Sequence, residues 1–200
     1  MKNILTRAAA LVAAVVFTLL MTSCSVTYDE GEIITASAEL IEASYEINTV
    51  FFGSGLPAVE SDDEVLRHFE IAEDSPYHTK EEIKTATLAV YSPDYAEFLF
   101  EKAFAGFVIS VGDEDSVDSN QIIDARYVQY GERLVILPVK EEDVMKLDRT
   151  YDTSSITVIS QSRGRAVLSV PSLVDGVPSD DVELTVVMTE DGWRLDTPTY

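Results

Sequence analysis

The only thiol of this 200-residue chain is Cys24, and the residues before it prepare a chemistry for it. Thr22, Ser23 and Cys24 supply the small residues expected next to a processing site. Upstream, Lys2 and Arg7 precede residues 8–21, an apolar run whose one polar member is Thr18, which is the pattern of a secretory leader. That run is shorter than the roughly 20 residues a helix needs to cross the hydrocarbon core. A lone cysteine also excludes an intramolecular disulfide and a thiolate cluster for zinc or for iron and sulfur.

The remaining reactive side chains are less organised. There is no Gly-x-Ser-x-Gly, His-Glu-x-x-His, Walker lysine loop or dinucleotide fingerprint. His68 and His78 fall on a short helix and in the linker after it, which is not ligand spacing on one element. Asp113, Glu114, Asp115 and Asp118 make an acidic loop of hard oxygen donors, but Val117 stands at the fifth position and the EF-hand order is not met. Asp124, Glu183 and Asp196 lie in or beside strand candidates, where an outward polar position is the simplest role. Core packing is the first explanation for the rings of Phe98, Phe100, Phe104 and Phe107. Tyr127, Tyr130 and Trp193 are the candidates for a binding surface. The reading is of a protein with no catalytic residues, no metal site and no cofactor.

Charge narrows the partners. The chain has 36 acids against 14 lysines and arginines, a formal charge of -22, so nucleic acid is a poor partner and a basic or neutral one fits better. Cleavage before Cys24 would remove two of those bases and no acid.

The elements that must carry these residues divide along the chain. From Glu30, the residues Ile33, Ala36, Leu40, Ala43, Ile47 and Val50 recur at three and four, which predicts one long helix with Glu32, Glu39, Glu42 and Glu46 turned to water. Residues 53–57, Gly-Ser-Gly-Leu-Pro, end it. Ser61 with Glu64 predicts a capped short helix through Val65, Leu66, Phe69 and Ile71, and Thr79 with Glu82 predicts another. Ser92-Pro93 supplies a cap and a first-turn proline for a third. Alternating strand candidates follow at 122–129, 133–139, 156–160, 165–170, 182–189 and 193–197. Gly131, Gly164, Gly176 and Gly192 stand where their hairpins need positive φ, so the strands should pair antiparallel. Helices first and a curved antiparallel sheet afterwards is an α+β fold. No repeat is visible, and the body fits one domain.

Three resemblances give these features a context. Leu20-Met21-Thr22-Ser23-Cys24 resembles the bacterial lipoprotein signal, with Met21 where that family usually has Leu. The resemblance implies cleavage before Cys24, a lipid on its thiol, and an extracytoplasmic body anchored to the cell membrane. The organisation would be a signal peptide over 1–23, a short tether over 24–31 and a domain over 32–200. Residues 190–196, Glu-Asp-Gly-Trp-Arg-Leu-Asp, resemble the closing hairpin of NTF2-like proteins, and residues 91–95, Tyr-Ser-Pro-Asp-Tyr, are similar to a segment of clostridial lipoproteins of that build. They imply an NTF2-like (cystatin-like) cone. Size, address and acidity are also similar to the IseA-like inhibitors of cell-wall DL-endopeptidases, a similarity that transfers no site residue.

The expected function is a non-catalytic, lipid-anchored binding or interaction protein, with a basic cell-envelope protein as the partner. An endopeptidase inhibitor, a pocket-type binder of a small molecule or wall fragment, and a hydrolase or isomerase using a buried Asp or Glu are the alternatives.

Overall fold

Asp29 accepts a hydrogen bond from the Glu32 backbone N–H and starts the long helix α1, Glu30–Phe51. The computed structural model describes residues 27–59, 68–105, 107–111, 119–123, 125–137, 139, 142 and 144–200, without the side chains of 107–111 and 119–123. The helix spans the stretch its periodicity indicates, and Glu32, Glu39, Glu42 and Glu46 are exposed as expected. Its inner face is more polar than the apolar stripe suggests. Ser37, Ser44 and Asn48 are buried along with Ile33, Leu40, Ile41 and Ile47, whereas Ala43 is exposed.

Two short strands, β1 (Ala58–Val59) and β2 (Phe69–Ile71), come before the next helix and pair antiparallel. Phe69 and Ile71 were expected on a helix after Ser61. They are strand residues instead, because β2 is held from its other side by the strand Arg133–Ile136, with Phe69 opposite Ile136. Residues 60–67, where that capping box lies, are outside the described residues. Helix α2, Lys80–Val90, begins with the Thr79–Glu82 capping box, and α3, Pro93–Phe100, begins with Ser92 accepting from the Tyr95 N–H. A π-helical turn, Glu101–Ala105, continues α3.

Among the described residues, the strands of the second half pair with one another antiparallel. After the hairpin of β3 (Phe107–Val111) and β4 (Ser119–Ile123), β5 (Tyr127–Tyr130) and β6 (Arg133–Ile136) join the first pair in the order β1-β2-β6-β5. The expected strand 122–129 is therefore two strands. The other sheet is built from β7 (Arg149–Tyr151), β8 (Thr157–Ser162), β9 (Arg165–Val174), β10 (Val177–Thr189) and β11 (Gly192–Leu195). Its order is β11-β10-β9-β7, with β8 sharing the free edge of β9. All four hairpin glycines have positive φ, and Asp175 (51°) before Gly176 (75°) has the twist that a two-residue hairpin needs.

The architecture is α+β, with the N-terminal helix packed against a curled antiparallel sheet. Its core joins Ile33, Ile41 and Ile47 of α1 to Leu168, Val170, Leu184, Val186 and Leu195 of the sheet. A polar staple crosses that core. The Tyr91 hydroxyl donates to Asn48 Oδ1 (2.7 Å), Asn48 Nδ2 donates to Thr199 Oγ1 (2.8 Å), and Thr199 donates to Ser44 Oγ (2.7 Å). Ser44 passes its own hydrogen to the Ile41 carbonyl (2.6 Å), so the buried donors are used in sequence.

Candidate functional site

A cavity of about 260 Å³ opens where α1 ends, lined by Phe51, Phe52, Leu99, Lys102, Ala103, Arg126 and Met145. The local chain path explains why the walls meet there. The last carbonyls of α1 lack helical partners, and Arg126, just before β5, donates from Nη1 to the Phe51 carbonyl (3.0 Å) and from Nη2 to the Gly53 carbonyl (2.6 Å). Beside it, the Tyr127 hydroxyl donates to the Val50 carbonyl (2.8 Å) and accepts from the Leu56 N–H (3.1 Å). Gly55 makes the close approach practicable. Its φ is +86°, and a Cβ there would lie 2.5 Å from Ile136 Cδ1 and 2.8 Å from Arg126 Nη2.

The wall behind the cavity is aromatic. Phe100 and Phe104 stack with centroids 5.7 Å apart, Phe51 lies 6.4 and 6.3 Å from them, and Phe104 meets Tyr127 edge-on at 6.2 Å. On the other side, Phe52 rests on Tyr200 at 4.1 Å. Two cations lie over this wall, Lys80 Nζ 5.2 Å from the Phe104 centroid and Lys84 Nζ 5.8 Å from that of Phe100, while Lys102, on the cavity lining, has its Nζ 4.7 Å from the centroid of the exposed Phe98 ring. Burial, then the neighbouring charge of Lys84, lowers the Lys80 pKa. None of Lys80, Lys84, Lys102 and Arg126 has an ion-pair partner among the described residues. In a chain of formal charge -22, these are four of its 14 lysines and arginines.

Of the three residues singled out in the sequence as a binding surface, Tyr127 lies in the aromatic wall behind the cavity and the other two fall elsewhere. Tyr127 is fully buried, Tyr130 is 63% exposed, and Trp193 is 4% exposed. Tyr127 and Tyr130 belong to β5 and Trp193 to β11 in the other sheet, so the three share no surface. Trp193 instead packs edge-on against Tyr28 at 5.0 Å, whose backbone N–H donates to Gln161 Oε1 (3.1 Å). Tyr28 and the first turn of α1 are thus part of the folded body, within the stretch expected as tether. Cys24, the acidic loop 113–118 and Asp124 lie outside the described residues.

Glu183 is exposed. Asp196 accepts from Ser92 Oγ (2.6 Å) and Arg165 Nη1 (2.8 Å), which joins the start of α3 to β9 and the chain end. His78 borders a smaller, polar cavity of about 170 Å³ with Glu70, Ile71, Glu132, Arg133 and Leu134, across which Arg133 and Glu70 form an ion pair. His68 Nε2 is enclosed and has no hydrogen-bond partner among the described residues.

Among the described residues, no Asp or Glu is buried and no group of three or more His, Cys, Asp or Glu could hold a metal ion. Glu82 is held below its ordinary pKa by the backbone N–H of His78, and Asp152 by the Ser154 side chain. Chemically, the cavity offers apolar contact, ring stacking and cationic donors. Sequence reasoning missed it because its lining comes from α1, α3, the π-helical turn and two loops. The sequence carries no local signal for it, since the four bases of 77–130 are about the share of the 14 that a stretch of that length would hold.

No helix among the described residues is long and apolar enough to cross a membrane. No family model matches the chain, and no curated protein matches it at a significant level.

Proposed function

We propose that this protein is an extracytoplasmic lipoprotein whose NTF2-like body works by binding, without catalysis, and that the cavity at the C-terminal end of α1 is its ligand site. The observation that carries the reading is the convergence of Phe51, Phe52, Leu99, Ala103 and Met145 with Lys102 and Arg126 around one cavity, since a small-molecule site is a mostly apolar concavity with a few placed polar groups. Lipid on Cys24 fits the placement of this site. Tyr28, docked on Trp193, is four residues after Cys24, a reach of about 14 Å at full extension. The cavity is at the other end of a 22-residue helix, about 33 Å away. The anchor would hold the end of the body that carries Trp193 near the bilayer and leave the cavity facing the aqueous envelope.

A direct test compares small molecules released on denaturation from the native full chain and from a Met145→Trp variant, in which a large ring closes the cavity mouth from an exposed position. The expected result is a molecule enriched in the wild type and depleted in the variant. Identical contents, both empty, after extraction from the native membrane would defeat the reading. For the address, Cys24→Ala is expected to release the protein from the membrane fraction, and unchanged membrane retention would contradict lipidation.

Docking of a basic envelope protein is the second reading. It is favoured by Glu32, Glu39 and Glu42, exposed along the outer face of α1 with no ion-pair partner among the described residues. Charge there would speed encounter and make it sensitive to salt. An endopeptidase whose inhibition is lost on Glu39→Lys/Glu42→Lys, and unchanged by Met145→Trp, would favour this reading over the cavity.

A further inference from the structure

We infer that the cavity at the end of α1 takes a small organic anion, a carboxylate or similar monoanion carried on a compact apolar body of about one or two rings. This rests on the reading of that cavity as the ligand site and adds the chemistry of its occupant.

The argument begins with Arg126. Its guanidinium is half-buried, and its two terminal nitrogens are used by the carbonyls of Phe51 and Gly53. Those carbonyls are neutral dipoles, so they satisfy hydrogen bonds without cancelling the charge. Nε is enclosed and has no hydrogen-bond partner among the described residues. A partly desolvated cation with no paired carboxylate among the described residues is costly, and an incoming anion is the group that relieves it. Lys102 lies on the same lining, and Lys80 and Lys84 stand behind the phenylalanine wall, so four cations contribute to the local potential.

The general field of the protein opposes this occupant. A formal charge of -22 repels anions at long range, but salt screens that field beyond about 8 Å, whereas the cations at the cavity act at contact distance. Selectivity follows from the remainder of the lining. Phe51, Phe52, Leu99, Ala103 and Met145 offer no donor to a sugar or peptide, and they reward an apolar body. At about 260 Å³ the cavity holds the volume of about nine water molecules, which suits a ring system and is too small for a phospholipid acyl chain or a muropeptide. The occupant would come from the aqueous side.

The test uses the full chain in phosphatidylcholine nanodiscs, with empty discs as the blank. Naphthoate, its neutral amide and cationic naphthylmethylamine are titrated as three ligands of one shape. Naphthoate should bind about tenfold or more tighter than the amide, as a charge-assisted hydrogen bond implies, and the amine should bind weakest. Arg126→Gln should erase the preference and Arg126→Lys should keep part of it. Lys102→Gln, on an exposed side chain, should reduce the preference in a variant that certainly folds, and Met145→Trp should weaken all three ligands. If amide and acid bind equally and Met145→Trp still weakens both, the cavity is a ligand site and the anion inference is wrong. Binding of all three unaffected by Met145→Trp, or no binding by any, would overturn the inference together with the reading beneath it. Hexadecanoate binding more tightly than naphthoate would overturn the compact body.

Discussion

The Tyr91 hydroxyl, at the junction of α2 and α3, donates a 2.7 Å hydrogen bond to Asn48 Oδ1 in the last turns of α1, and both side chains are buried. Through Thr199, the same network holds the chain end against Ser44. One polar cluster therefore fixes the helical layer and the C-terminus together, and it lies beside the turn that shapes the cavity. Asn48→Leu should cost about 1–3 kcal/mol, because Thr199 and Tyr91 would each keep a buried polar group with a partner lost. Urea unfolding of wild type and variant measures this, and a difference below about 0.5 kcal/mol would remove the network from the account of stability.

The Tyr91 hydroxyl is pushed up to about 12, first by burial, against the ordinary 10.0. Tyr77 and Tyr151 are also raised to about 12, again chiefly by burial. In each case the native state keeps a proton that the unfolded state gives up first. Their contribution is fully present below pH 10.0 and is lost as pH rises toward about 12, so stability should fall steeply across that window. Tyr91→Phe should make the fall shallower. A pH titration of the melting temperature checks the slope, and a flat profile across the window would contradict it.

Gly55→Ala should destabilise the protein by about 1–3 kcal/mol, since the φ of +86° is strained for alanine and its Cβ would press on Ile136 and Arg126. Because Arg126 must shift to admit the methyl, ligand binding in the cavity should weaken by more than the loss of folded protein explains. Thermal melts set beside binding isotherms at a temperature where the variant is folded separate the two effects.

Thr79→Ala breaks the capping box of α2, in which Thr79 Oγ1 accepts from the Glu82 N–H (3.1 Å) and Glu82 Oε2 accepts from the Thr79 N–H (3.0 Å). A loss of about 1 kcal/mol is expected. Lys80 and Lys84 are carried by the first turns of α2, so fraying should also loosen the cationic side of the phenylalanine wall. Amide exchange of residues 80–84 in wild type and variant is the measurement.

Trp193 emission should be blue-shifted, as its ring is 4% exposed, and it should respond to Tyr28→Ala, which removes the ring packed on it. It should not respond to a ligand in the cavity, which lies at the opposite end of α1. Quenching of Trp193 by naphthoate with no response to Met145→Trp would put the ligand at the wrong end of the molecule.

The amino-acid order by itself determined what depends on neighbours in the chain. The span of α1, the caps at Thr79 and Ser92, and the positive-φ glycines of four hairpins are all legible, because capping and turn geometry are settled within a few residues. The tertiary structure decided what depends on distant partners. Phe69 and Ile71 became strand because β6 sets Ile136 opposite Phe69 and β1 sets Ala58 opposite Ile71, and Ser44 and Asn48 turned inward because Tyr91 and Thr199 meet them there. Tyr127 and Trp193 were buried in separate sheets, and Arg126 reached the end of α1 across 75 residues to make a cavity that no local pattern announces. Periodicity specifies which face of an element is apolar. Which polar group answers another, and where a charge goes unanswered, is fixed only once the chain has closed on itself.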